Sequence, residues 1–134
     1  MNYTEEDKKR IFGRCIKVPG LDPKMWRQDA AGAIICYTSY GREDEFFGWE
    51  IDHIYPQSKL EQLKVPEDLI NDERNLRALN WNNNLSKGDE YPKYEATITS
   101  LDNGESNTKG SWSKTINKRK QEQIKELYKD YDLE

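Results

Sequence analysis

The chain has 134 residues, 34% of them apolar and 34% charged, with a net charge of −4 and a pI near 5.2. That length suits one modest core, and no stretch approaches the roughly 18 apolar residues of a membrane helix. The charged start MNYTEEDKKR is no signal peptide and Cys15 and Cys36 form no CxxC pair, so a single cytoplasmic domain with reduced thiols is expected, Cys36 packing in the core.

Thr4 followed three residues later by Asp7 has the form of a capping box, which predicts a helix over 5–15 with Ile11 and Cys15 inward. VPGLDP stops it, because two prolines and a glycine cannot continue a helix. Ala33 to Thr38 reads as a strand, and Trp49 to Ile54 as a second. In the second, a period of two puts Trp49, Ile51 and His53 on one face and Glu50, Asp52 and Ile54 on the other. Residues 57–74 are polar and acidic, a loop with one short turn near Pro66. Asn75 to Leu79 is a short extended or turn segment. Trp81 to Lys87 reads as a short helix closed by Gly88, although its three asparagines are poor helix formers. Such a mismatch between propensity and structure often marks a functional site. Tyr94 to Ser100 is a further strand, Asp102 to Gly110 a mobile loop by composition, and 113–131 a helix with Ile116, Ile124, Leu127 and Tyr131 inward.

Charge is unevenly spread. Residues 42–73 carry ten acids and three bases, and residues 107–129 carry seven bases and two acids. An acidic total is compatible with one basic surface facing a phosphate backbone, although charge by itself favours two ordinary solvated faces. The lysine-rich last helix is open to both readings.

His53 is the single histidine, and a lone histidine is usually structural. Its surroundings argue otherwise: Asp52-His53-Ile54 with Pro56 and Ser58, then Asn75-Leu76 with Leu79, then Asn84 with Lys87 three residues on. Phosphodiester hydrolysis needs an activated water and neutralisation of charge on the phosphate. A neutral imidazole, abundant near pH 7 because histidine titrates at about 6.5, can take the proton. A hard cation suits the neutralisation and prefers oxygen ligands, which Asp52 and Asn84 offer. Which of the consecutive Asn82, Asn83 and Asn84 would be the ligand stays open on these residues alone.

In order and spacing, GWEIDHIYPQSKL (48–60) and NDERNLRALNWNNNLSKGD (71–89) resemble the HNH endonuclease family. Trp26 to Asp29, Gly32 to Ile34 and Tyr40-Gly41 look like the lead-in of a small bacterial and phage subgroup. The resemblance implies an α+β fold with a ββα-metal core over 33–90 and extra helices at both ends. It implies a metal-dependent endonuclease hydrolysing DNA, with His53 as general base and Asp52 and Asn84 as metal ligands. Asn75 would pin the loop and orient the histidine, with Lys87, Arg74 and Arg77 near phosphates. Asn84 in the third position makes this an HNN variant, for which Mg is the expected cation and Mn the next. No structural zinc is expected: Asn80 and Asn83 stand where a CxxC knuckle would lie, and zinc wants four Cys or His ligands. The implied partner is nucleic acid, DNA first, in a bacterial or phage-infected cell, and nucleases of this size commonly work as homodimers or in larger complexes. The rival reading is a catalytically inactive HNH fold that binds protein or DNA.

Overall fold

A computed structural model of the chain describes residues 2–101 and 106–133. It is an α+β arrangement of small antiparallel sheets and helices. Helix α1 (Glu5–Gly13) begins with the capping box read from the sequence: the Asp7 amide donates to Thr4 Oγ1 and the Thr4 amide to Asp7 Oδ2, both at 3.0 Å. It ends two residues earlier than expected, so Cys15 lies beyond it, half-buried beneath the Ala78 carbonyl.

Strands β1 (Ile16–Lys17), β2 (Trp26–Gln28) and β3 (Ile34–Cys36) form a three-stranded sheet in that order. The first two strands are too short for an alternating pattern to declare itself. The expected strand over 33–38 breaks at Cys36, where Tyr37–Ser39 tightens into a 3₁₀ turn.

Strands β4 (Trp49–His53) and β5 (Leu76–Asn80) pair antiparallel, with Asp52 opposite Arg77 and His53 opposite Leu76. One face of this pair places Trp49, Leu76 and Ala78 against Ile11 and Phe12 of α1 in a first core cluster. The other face contributes Leu79 to a second cluster with Tyr55, Leu60, Tyr94, Ile124 and Tyr128. Fully burying one such aliphatic or aromatic side chain contributes about 1.5–3 kcal/mol, so the two-sided burial holds the ribbon rigidly.

The segment expected as a polar loop after Pro56 is instead partly helical: α2 (Gln57–Gln62), α3 (Glu67–Ile70) and a 3₁₀ turn at Glu73–Asn75. The sparse apolar residues Leu60, Val65 and Ile70 are the ones buried, which is enough to fold short helices in a segment of polar composition. Helix α4 (Trp81–Lys87) leaves β5 directly. Asn80 caps it by accepting from the Asn82 amide at 2.9 Å. It closes at Gly88, whose φ of +50° suits glycine.

Strands β6 (Lys93–Thr99) and β7 (Thr108–Thr115) form a hairpin, with β6 packed on α4. This corrects two expectations. Of the loop expected over 102–110, residues 102–105 lie outside those described, and Thr108 to Gly110 are strand. Residues 113–115, expected to open the last helix, also belong to β7, because pairing with β6 outweighs their local preference. Helix α5 (Lys118–Leu127) starts only after Asn117, whose Oδ1 accepts from the Lys120 amide at 2.7 Å. Ile116 and Tyr131 lie outside α5 but still pack on the second core cluster with Ile124 and Leu127.

Among the described residues, no helix is long and apolar enough to cross a membrane.

Candidate functional site

β4, the α3 end and the last turn of α4 wall an open cleft of about 950 Å³. Asp52, His53, Asn71, Asn84 and Asp89 line it. Three residues singled out in the sequence, Asp52 and His53 of β4 and Asn84 of α4, therefore share one cavity.

His53 ends β4. Its Nε2 lies 2.7 Å from Asn71 Oδ1, just past the end of α3. An amide oxygen only accepts, so Nε2 carries the hydrogen, and the neutral ring keeps its Nδ1 lone pair for another proton. Asn71 had no signal in the sequence, since its use depends on α3, which polar composition concealed.

Asn75 is fully buried. Its Oδ1 accepts from the Tyr55 amide at 2.7 Å, and its Nδ2 donates to the Tyr55 carbonyl at 3.1 Å and the Ile70 carbonyl at 3.4 Å. It ties the chain following His53 to the segment that carries Asn71, a positioning role that leaves its amide away from the cleft.

The three consecutive asparagines of α4 divide their work. Asn83 is fully buried and accepts at 2.9 Å from the Thr97 and Ile98 amides while donating to the Ile98 carbonyl, which locks α4 onto β6. Asn84 faces the cleft, its Nδ2 donating to Glu50 Oε1 at 3.1 Å. Its Oδ1 accepts no hydrogen bond among the described residues, so one amide oxygen is available to a ligand. Burial, opposed by the Asn84 hydrogen bond and reinforced by Glu43, raises the Glu50 pKa.

Asp52 is almost wholly buried, and both its oxygens already hold cations. Arg77 Nε lies 3.0 Å from Oδ2 and Lys87 Nζ 3.4 Å from Oδ1. Lys87 Nζ also donates to the His53 carbonyl at 3.2 Å. The Arg77 guanidinium sits over the Tyr94 ring, 5.1 Å from its centroid. Its Nη2 is buried without a hydrogen-bond partner among the described residues. Neither cation faces the cleft as a phosphate contact would: Arg77 is committed to Asp52, and the Lys87 side chain is fully enclosed. Burial lowers the Lys87 pKa, with Asp52 opposing it. Arg74 does lie at the surface, in a two-bond pair with Asp72 at 2.9 and 2.8 Å.

Behind α4, Asp29 acts as a fully buried anchor. Its Oδ1 accepts from the Ala31 and Ala33 amides at 3.0 and 2.8 Å, and its Oδ2 from the Asn80 amide at 2.9 Å and Asn83 Nδ2 at 3.4 Å. The β2–β3 turn thereby sets the start of the helix that presents Asn84 and Lys87. Burial raises the Asp29 pKa against these hydrogen bonds. Cys15 takes no part, since burial pushes its thiol up to about 12.

Among the described residues, no group of three or more His, Cys, Asp or Glu side chains converges as a metal site. Of the oxygen donors on the cleft, which include the carboxylates of Glu61, Glu67 and Asp89, the two singled out in the sequence are the Asp52 carboxylate and the Asn84 amide oxygen. Such a set leaves most coordination positions to water or substrate, as Mg²⁺ tolerates. Compared with known protein families, curated proteins and solved structures, the chain matches none.

Proposed function

We propose that this chain is a metal-dependent endonuclease of the HNH type, with β4, β5 and α4 as its ββα-metal core, hydrolysing DNA phosphodiester bonds. The observation that supports this most is the convergence of Asp52, His53 and Asn84 on one cleft, with His53 held by Asn71 so that its Nδ1 is free. In this reading Nδ1 of His53 takes the proton from the attacking water. Asn71 fixes the tautomer and, through the buried Asn75, the loop keeps its distance from β4. Asp52 and Asn84 would hold one divalent cation, Mg²⁺ or Mn²⁺. When bound, that cation supplies charge neutralisation at the phosphate and leaving oxygen. Arg77 aims the Asp52 carboxylate, and Arg74, at the surface, would have to exchange its pair with Asp72 for a phosphate.

A second reading draws on the charge of the cleft. Asp52, Glu61, Glu67 and Asp89 line it, and no lysine or arginine does among the described residues. A cleft of that sign also fits a basic protein partner, with the fold serving as a catalytically inactive binding module.

Nicking of supercoiled plasmid with Mg²⁺, Mn²⁺ or EDTA, for wild type and His53→Ala, separates the two. The nuclease reading expects metal-dependent nicking that falls by at least about a hundredfold in His53→Ala. Unchanged cleavage in that variant rules out the mechanism. No cleavage of duplex, single-stranded or RNA substrates with any divalent metal hands the site to the binding module.

A further inference from the structure

The two cations on Asp52 carry an inference that goes beyond this reading and rests on its metal site. One carboxylate, buried in the wall of the cleft, faces two unit positive charges, at 3.0 Å from Arg77 and 3.4 Å from Lys87. The pair over-neutralises it. A divalent cation drawn into the acidic cleft would meet these two positive charges at the Asp52 oxygens, in surroundings where water does little to screen the repulsion.

We propose that Lys87 is a tethered counter-cation that competes with the divalent metal for Asp52 and yields its place when the metal binds. The geometry says which of the two cations gives way. Arg77 is held by one bond from Nε to Oδ2 at 3.0 Å and by the Tyr94 ring beneath it, and a planar guanidinium packed in this way moves less readily than an ammonium on a flexible stem. Lys87 is a point charge on a four-carbon stem at the last residue of α4, next to Gly88. Its bonds, to Asp52 Oδ1 at 3.4 Å and to the His53 carbonyl at 3.2 Å, are both long for a charged donor. Asp89, two residues further on, lines the cleft and already attracts the ammonium, so the released charge has a carboxylate to turn toward.

Two consequences follow. Without metal, Lys87 keeps the Asp52 carboxylate aimed. With metal, the site gains one more positive charge than it loses, so a phosphate diester arriving at the cleft relieves the excess, and cation and nucleic acid favour each other's binding. That coupling is reciprocal by linkage.

The test is Mn²⁺ affinity of the full chain, by electron paramagnetic resonance of free Mn²⁺ and by calorimetry, without substrate. Lys87→Met is expected to bind Mn²⁺ about ten- to a hundredfold more tightly than wild type. Lys87→Gln, which keeps a donor for the His53 carbonyl but no charge, is expected to tighten in the same direction. Asp52→Asn is expected to lose the site in every background. The NMR signals of the single imidazole report in each sample that the fold is intact. Equal or weaker Mn²⁺ binding in both folded Lys87 variants, with Asp52→Asn still abolishing it, overturns the competition and leaves the metal site standing. Absence of binding in wild type and both variants overturns the competition and the metal reading together.

Discussion

Asn71 and His53 meet at 2.7 Å across the cleft, the amide oxygen of one against Nε2 of the other. An imidazole so held presents Nδ1 in a fixed direction, and because it is the only one in the chain its state can be observed without assignment. Asn71→Ala is expected to leave the fold intact and lower kcat of the proposed hydrolysis by about 10- to 100-fold with little change in KM. Long-range ¹H–¹⁵N correlation spectra should show the Nε2-protonated tautomer in wild type and a mixture in the variant. A single unchanged tautomer with full activity would sink the orienting role.

Asn83 and Asn84 are neighbours with opposite jobs, and substitution separates them. Asn83→Ala removes three hydrogen bonds from buried backbone groups and is expected to cost about 2–4 kcal/mol in urea unfolding. Asn84→Ala is expected to change stability by less than about 0.5 kcal/mol and to weaken Mn²⁺ binding and cleavage. The reverse pattern would move the ligand role to Asn83.

Removing a charge from the Asp52 cluster is expected to depend on which charge goes. Asp52→Asn leaves Arg77 and Lys87 buried side by side and should cost roughly 3–5 kcal/mol of unfolding free energy. Arg77→Met leaves Asp52 paired with Lys87 and should cost less, roughly 2 kcal/mol. Chemical denaturation of the two variants checks the order.

Acid stability should depend on Glu73. Its carboxylate takes Arg10 at 2.7 Å and Arg14 at 2.6 Å, which bridges α1 to the turn before β5. The hydrogen bond from Arg10, with both arginine charges, holds its pKa below the usual glutamate range. A carboxyl whose folded pKa is depressed stabilises the fold above its unfolded pKa, and that contribution disappears as pH falls through the folded value. Tm is therefore expected to fall as pH drops below about 4.3. Glu73→Gln should have a lower Tm at pH 7 and a shallower decline across that range. Parallel curves for the two proteins would count against it.

Much of the fold was legible where local signals are strong. Thr4 and Asp7 announced α1 through reciprocal capping, the alternation in Trp49 to Ile54 announced β4, and Gly88 announced the end of α4. The signals failed where pairing or burial is non-local. β7 has an ordinary polar sequence and is a strand because β6 lies beside it, and α2 and α3 are held by Leu60 and Ile70 in a core contributed mainly by other segments.

At the candidate site, the sequence by itself determined which residue types are present and in what order: one imidazole beside a carboxylate, then amides and a lysine at helical spacing. Tertiary structure decided what each of them touches. Whether Arg77 meets solvent or Asp52 depends on its place opposite Asp52 in the β4–β5 register and on the Tyr94 ring behind it, a residue 17 positions away in the chain. Whether Lys87 reaches the cleft or lies buried depends on how α4 packs, which Asp29 and Asn83 fix from other elements. Spacing along the chain brings side chains to one element, but which charges end up buried against each other, as Arg77 and Lys87 are against Asp52, is set by packing between elements.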